Sequence, residues 1–197
     1  YFTTSLSRVL LPAYARIQRE RPRLCSTYLA TMTVVATVAM PVAWGVAGAS
    51  DAVVATLLGS QWRHAVPPLT VLSVAVPFTL LTHFGAILCE ATATLNVKIA
   101  ISVGRVGWLT GLVILIGRHG IIGLALAFAL SEVLTHAAYI VLMKRLLRFA
   151  WRELGGAYWQ GATGGAVTGI VLYALDSVFR SAGMAPILRL VALAALG

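Results

Sequence analysis

Five stretches of this chain are apolar for about 20 residues or more and nearly free of charge: 28–49, 66–89, 98–117, 120–143 and 155–176. A helix needs about 20 apolar residues to cross the hydrocarbon core of a bilayer, where every backbone N–H and C=O must be satisfied within the segment. The chain is thereby restricted to an all-α fold, a polytopic bundle of transmembrane helices. Composition points the same way. Of 197 residues, 59% are hydrophobic and 11% charged, where a soluble domain carries about 25% charged residues. That is too little polar surface to cover a globule in water, so the lipid bilayer is the expected solvent.

Two further apolar segments, 1–14 and 184–197, stop at a chain end before reaching spanning length. They read as helices cut by the chain ends, with short interfacial helices as the alternative. The expectation is one transmembrane domain over 1–197 with about six to seven helices. The segment 51–62, "DAVVATLLGSQW", is too short to span. Ser50 or Asp51 can cap its start and Gly59 can end it, while Trp62 suits the headgroup level. An interfacial helix is expected there. Pro67 and Pro68 then open the next span, where a missing N–H costs little. The short "GRHG" at 117–120 makes an antiparallel hairpin of the helices on either side.

The basic residues set the orientation. Lys and Arg accumulate in cytoplasmic loops. One side of the membrane receives nine of them, Arg16, Arg19, Arg21, Arg23, Lys98, Lys144, Arg145, Arg148 and Arg152. The other receives three, Arg63, Arg118 and Arg180. The loops "ARIQRERPRL" and "KRLLRFAWRE" are therefore expected in the cytoplasm. The net charge of +9 is this loop bias. It lacks the aromatic–basic interleaving of a nucleic-acid surface, and no nucleic-acid partner is expected. Cys25 and Cys89 both fall near the cytoplasmic face, where thiols stay reduced.

Charged groups inside a span cost about 2.5–3.5 kcal/mol at the bilayer centre and usually face the bundle interior. Arg105 lies about a third of the way into 98–117. It either snorkels to the cytoplasmic interface or lines a cavity and contacts an anion. Arg8 poses the same choice in its partial helix. Glu132 is the most deeply placed carboxylate, and His136 follows one turn later on the same face. Together they are a candidate ion or proton site; the alternative is that Glu132 partners a buried Arg, Ser or Thr. Glu90 and His83 also share a face, near a helix end. No CxxC, no HExxH and no assignable Ser–His–Asp set occurs, so no metal, no cofactor and no enzymatic activity is expected. Pro41 and Pro77 lie inside spans and predict kinks. "GATGGAVTG", 161–169, places Gly161, Gly165 and Gly169 at the spacing of a close helix–helix contact.

Three pieces, the "LLPAYARIQ" helix end, the "PVAWGV" span and "LLGSQWRHAVPPL", together resemble the polysaccharide-export flippases. These are the Wzx-like translocases of the multidrug/oligosaccharidyl-lipid/polysaccharide exporter (MOP) superfamily. The hairpin "GRHGIIGLALAFALSEVL" resembles them too. The resemblance implies the second lobe of a two-lobed, MATE-like fold, partnered by an N-terminal lobe, in the bacterial inner membrane. It implies transfer of an undecaprenyl-pyrophosphate-linked oligosaccharide between leaflets, in polysaccharide biosynthesis and export. A basic cavity would hold the anionic headgroup, and Arg105 and Arg8 are the positions carried over. Two other functions stay open: a MATE-type drug/cation antiporter, which needs intramembrane carboxylates, and a non-catalytic membrane component of a glycan polymerase complex. A membrane enzyme would usually need a large periplasmic loop; the longest here is about 17 residues and reads as a helix.

Overall fold

The computed structural model describes the backbone of residues 2–196 and the side chains of residues 10–195. Helix follows helix: α1 (Phe2–Ile17), α2 (Arg21–Gly48), α3 (Ser50–Leu57), α4 (Val66–Ala91), α5 (Leu95–Ile116), α6 (Gly120–Leu147), α7 (Trp151–Ser181) and α8 (Pro186–Leu196). Among the described residues there is no strand. Apolar segments long enough to cross a membrane are Arg21–Gly48, Ser60–Ala91, Leu95–Leu147 and Trp151–Ser181. The third of these is α5 and α6, joined through a 3-10 turn at Gly117–His119. The chain is a multi-pass membrane protein.

The helices run past the apolar windows at their ends. α2 begins at Arg21 and α7 at Trp151, so Arg21, Arg23 and Arg152 already lie on helical turns, while Arg19 and Arg148 sit in the connections. The 28 residues of α2 measure about 42 Å at 1.5 Å per residue, more than the hydrocarbon thickness. Its polar first turns therefore reach into the headgroups.

The loops are short because the turn residues allow it. Gly120 has φ 76° and Gly59 has φ 93°, a backbone region that glycine enters without strain. The first closes the α5–α6 hairpin and the second ends α3. Arg148 takes the left-handed cap of α6, its N–H bonding the Lys144 carbonyl at 2.9 Å. Lys144 then stacks over the Trp151 ring at 3.8 Å, which ties the end of α6 to the start of α7.

The segment expected as a helix over 51–62 is shorter. α3 ends at Leu57, and Ser60–Ala65 forms a 3-10 turn. Neither Ser50 nor Asp51 caps it, because α3 follows α2 after the single residue Ala49 and both side chains turn elsewhere. The Ser50 hydroxyl pairs with Thr70 Oγ1 of α4 at 2.8 Å. Pro41 and Pro77 sit inside α2 and α4, which continue as helix through both. The Trp44 indole donates to the Val74 carbonyl at 3.2 Å, next to the Ser73 carbonyl from which Pro77 removes its helical partner.

Lipid tails are as apolar as leucine, so burial alone does not drive these helices together; close fit does. α2 shows how. Leu24, Tyr28, Met32, Ala36 and Met40 recur every fourth residue and fill the bundle centre with Leu81, Phe84 and Leu88 of α4 and Met143 of α6. Val34, Val38 and Val42, equally apolar, stand exposed on another face of the same helix. α7 meets α2 through the predicted glycine face. A Cβ added to Gly161 would lie 2.4 Å from the Ala36 carbonyl oxygen, and one on Gly169 would lie 2.9 Å from that of Trp44. α5 is the opposite case, with no buried residue along its length.

Candidate functional site

α4, α5 and α6 enclose a cleft of about 390 Å³, within the range of small-ligand sites. Its lining is polar for a membrane interior: Thr79, Thr82, His83, Ser102, Thr135 and Tyr139 surround four charged groups. The turn between α4 and α5 brings Glu90, at the end of α4, against Lys98, in the first turns of α5. These side chains are 35% and 30% exposed, and Lys98 donates to the Glu90 carboxylate. Glu90 is thus an ion-paired member of the cleft wall.

Arg105 follows Lys98 by seven residues, so the two share a face of α5 and Arg105 lies about 10 Å deeper. The α5–α6 hairpin sets Glu132 of α6 opposite it, and the Arg105 guanidinium donates to the Glu132 carboxylate. The burial of this pair is lopsided. Glu132 is 1% exposed, whereas 41% of the Arg105 side chain is open. A carboxylate that deep needs a partner, since an isolated charge in a low dielectric is very costly. Arg105 supplies one through a single terminal nitrogen. A guanidinium carries five N–H donors in a planar fork, so capacity remains toward the cleft. Of the alternatives for Glu132, the structure gives the arginine partner.

Glu132 and His136, one turn apart, take different partners. His136 is buried, its Nδ1 sharing a hydrogen bond with the Thr82 hydroxyl at 3.2 Å and its Nε2 with the Tyr158 hydroxyl at 2.9 Å. The Tyr158 hydroxyl also lies 3.8 Å from Met32 Sδ. This relay ties α6 to α4, α7 and α2, while Glu132 turns toward α5. Arg8 lies on α1, but its side chain is outside the described residues.

A second charged cluster escaped sequence reasoning. Arg189 of α8, 4% exposed, donates from Nε and Nη2 to Asp176 Oδ1 of α7 at 3.0 and 2.5 Å, and from Nη2 to Asp51 Oδ2 of α3 at 2.8 Å. Arg180 approaches Asp51 from outside at 3.7 Å. The signal that was available is scarcity: Asp51 and Asp176 are the chain's only aspartates, and an apolar helix holding an arginine needs an acid nearby.

Residues 1–67 match the family model described as polysaccharide biosynthesis protein. Over 177 residues the chain is 25% identical to the lipopolysaccharide biosynthesis protein WzxC of Escherichia coli (strain K12). That alignment covers 89% of this chain and 36% of the relative, so the chain spans about a third of the length of the curated protein it matches. No solved structure gives a significant match. The resemblance to the Wzx-like polysaccharide flippases is borne out by both matches.

Proposed function

We propose that this chain is part of a membrane transporter, not an enzyme, that moves an undecaprenyl-pyrophosphate-linked oligosaccharide across the bacterial inner membrane. The α4–α5–α6 cleft holds the anionic headgroup, with Arg105 and Lys98 facing it. The glycan passes through a cavity completed by an N-terminal lobe, and Arg8 is a further candidate for its wall. The observation that carries this is the position of Arg105: a guanidinium, open to a polar cleft, two turns below Lys98 within a bundle of apolar helices. Arginine suits the task because its fork binds phosphate oxygens bidentately and keeps its charge when buried. The polysaccharide biosynthesis match and the likeness to WzxC support the same substrate class.

The MATE-type alternative needs a carboxylate free to bind a cation. Glu132 is the carboxylate at the right depth, and Arg105 occupies it. That pairing favours the anionic ligand. The test is complementation of a flippase-null strain at matched membrane levels. Arg105→Ala should abolish most export, and Arg105→Lys should retain part of it, because lysine keeps the charge and loses the fork. Normal export by Arg105→Ala would end the case for this cleft.

A further inference from the structure

We infer that the cleft is a self-neutralised anion site, in which Glu132 and Glu90 occupy the cations that a phosphate-bearing ligand must engage, and so weaken its binding enough to permit release. The inference rests on the headgroup site proposed above and concerns how that site lets its ligand go.

The charge arrangement carries it. Each cation of the cleft has one carboxylate of its own, from a neighbouring helix: Glu132 of α6 for Arg105, and Glu90 of α4 for Lys98. Two positive and two negative side chains leave the four with no net charge. The other ionisable side chains on the lining are His83 and Tyr139; among the described residues no further carboxylate, lysine or arginine lines it. A dianionic phosphate group entering this cleft meets two cations that are already engaged. It must take them from the carboxylates or share them, and in either geometry a fixed negative charge within a few ångströms opposes it.

The exposure pattern assigns the roles within each pair. Arg105 is open to the cleft and Glu132 lies behind it at 1% exposure. The ligand therefore reaches the guanidinium, while the carboxylate stays in place and competes. The Arg189 cluster is a useful contrast. Its arginine is 4% exposed, held by two aspartates and absent from the cleft lining, so it offers no donor to a ligand.

A carrier gains from such competition in two ways. Bare cations at this depth would hold a pyrophosphate too tightly to deliver it. They would also make the unloaded site costly to keep in the bilayer, whereas a site whose cations are already paired carries a smaller penalty. The carboxylates are positioning residues that act through Arg105 and Lys98.

Removing a competitor predicts a gain of affinity, which structural damage does not produce. The experiment measures binding to the intact protein in lipid nanodiscs by native mass spectrometry. The probes are inorganic pyrophosphate and, separately, undecaprenyl pyrophosphate in the nanodisc lipid. Glu132→Gln should bind about tenfold more tightly than the parent, the gain expected from removing one close charge pair's competition, and should export glycan more slowly in cells. Tightening with both probes supports the proposal through phosphate chemistry alone; tightening with the lipid probe only supports it with the lipid headgroup as the source. Unchanged or weaker binding by a folded Glu132→Gln, with binding lost in Arg105→Ala, overturns the competition while the headgroup site stands. Unchanged binding in Arg105→Ala overturns the site, and the competition with it. Should Glu132→Gln fail to fold, Glu90→Gln at the shallower pair carries the same expectation for Lys98, and failure to tighten there refutes it.

Discussion

Replacing Arg189 by methionine removes a charge while keeping most of the side-chain length. Asp176, 3% exposed, then loses both of its bonds to Arg189, at 3.0 and 2.5 Å, and pairs with no other cation among the described residues. Asp51, 16% exposed, loses its 2.8 Å bond but keeps Arg180 at 3.7 Å. Breaking a buried ion pair from one side costs about 3–5 kcal/mol, because the remaining charge stays buried and unpaired. Only Asp176 is fully stranded, so the low end applies, about 3 kcal/mol. For a unit of this size that is ~6–12 °C in Tm. The assay is thermal unfolding of the purified protein in detergent, with the level of protein in the membrane as a second readout. The double variant Arg189→Met/Asp176→Leu removes the stranded charge as well and should recover most of the loss, since well-packed apolar replacements of buried ion pairs are often neutral or better. A single Arg189→Met variant that melts within about 2 °C of the parent, a difference of under 1 kcal/mol, would refute the reasoning. So would a double variant no more stable than the single.

Gly161→Leu should destabilise by more than about 2 kcal/mol in the same melting assay, because its Cβ alone would meet the Ala36 carbonyl oxygen at 2.4 Å. Gly156→Ala, with nothing within 4 Å of the added carbon, should be neutral or stabilise by up to ~1 kcal/mol. Tyr158→Phe should cost about 1–3 kcal/mol by leaving His136 Nε2 buried without its partner; an unchanged melting curve would mean the relay bears no load. In a background free of Cys25 and Cys89, cysteines near Arg21 and Arg148 should resist impermeant thiol reagents in whole cells, and cysteines at Ser60 and Ser181 should react. The reverse pattern would invert the topology.

The existence of the long helices was legible because a bilayer tests only the apolarity of a segment, and that is a sum over residues. Their ends were less so. α2 starts at Arg21 rather than Tyr28, since backbone hydrogen bonding does not stop where hydropathy does. Within the cleft, Arg105 and Glu132 each stand out as charges in spans, and a carboxylate as deep as Glu132 calls for a partner such as an arginine. Their pairing with each other was not legible: it depends on how two antiparallel helices are rotated, across a separation of 27 residues. Glu132 and His136 share a helical face by spacing, but at a crowded junction one turn is enough to change neighbours. Ser50 and Asp51 look like caps because capping rules are local, while their partners in the fold are Thr70 and, 138 residues away, Arg189. The family match itself ends at residue 67, before the cleft begins.

α5 buries none of its residues. Most of its circumference is uncovered within this chain, and wherever such a face meets lipid, the neighbour checks whether a side chain is greasy but not which one it is. Ile99, Val103, Val106, Ile114 and Leu115 are exposed, and Gly107 and Gly111 have open space where a side chain would go. A library of α5 sequences should therefore divide sharply. Swaps among apolar residues on the outward face should pass almost unselected, while Lys98 and Arg105 stay fixed. Over generations such a helix keeps its composition and loses its spelling, so the part of the chain that carries the cleft's cations is the part where inheritance would be hardest to trace.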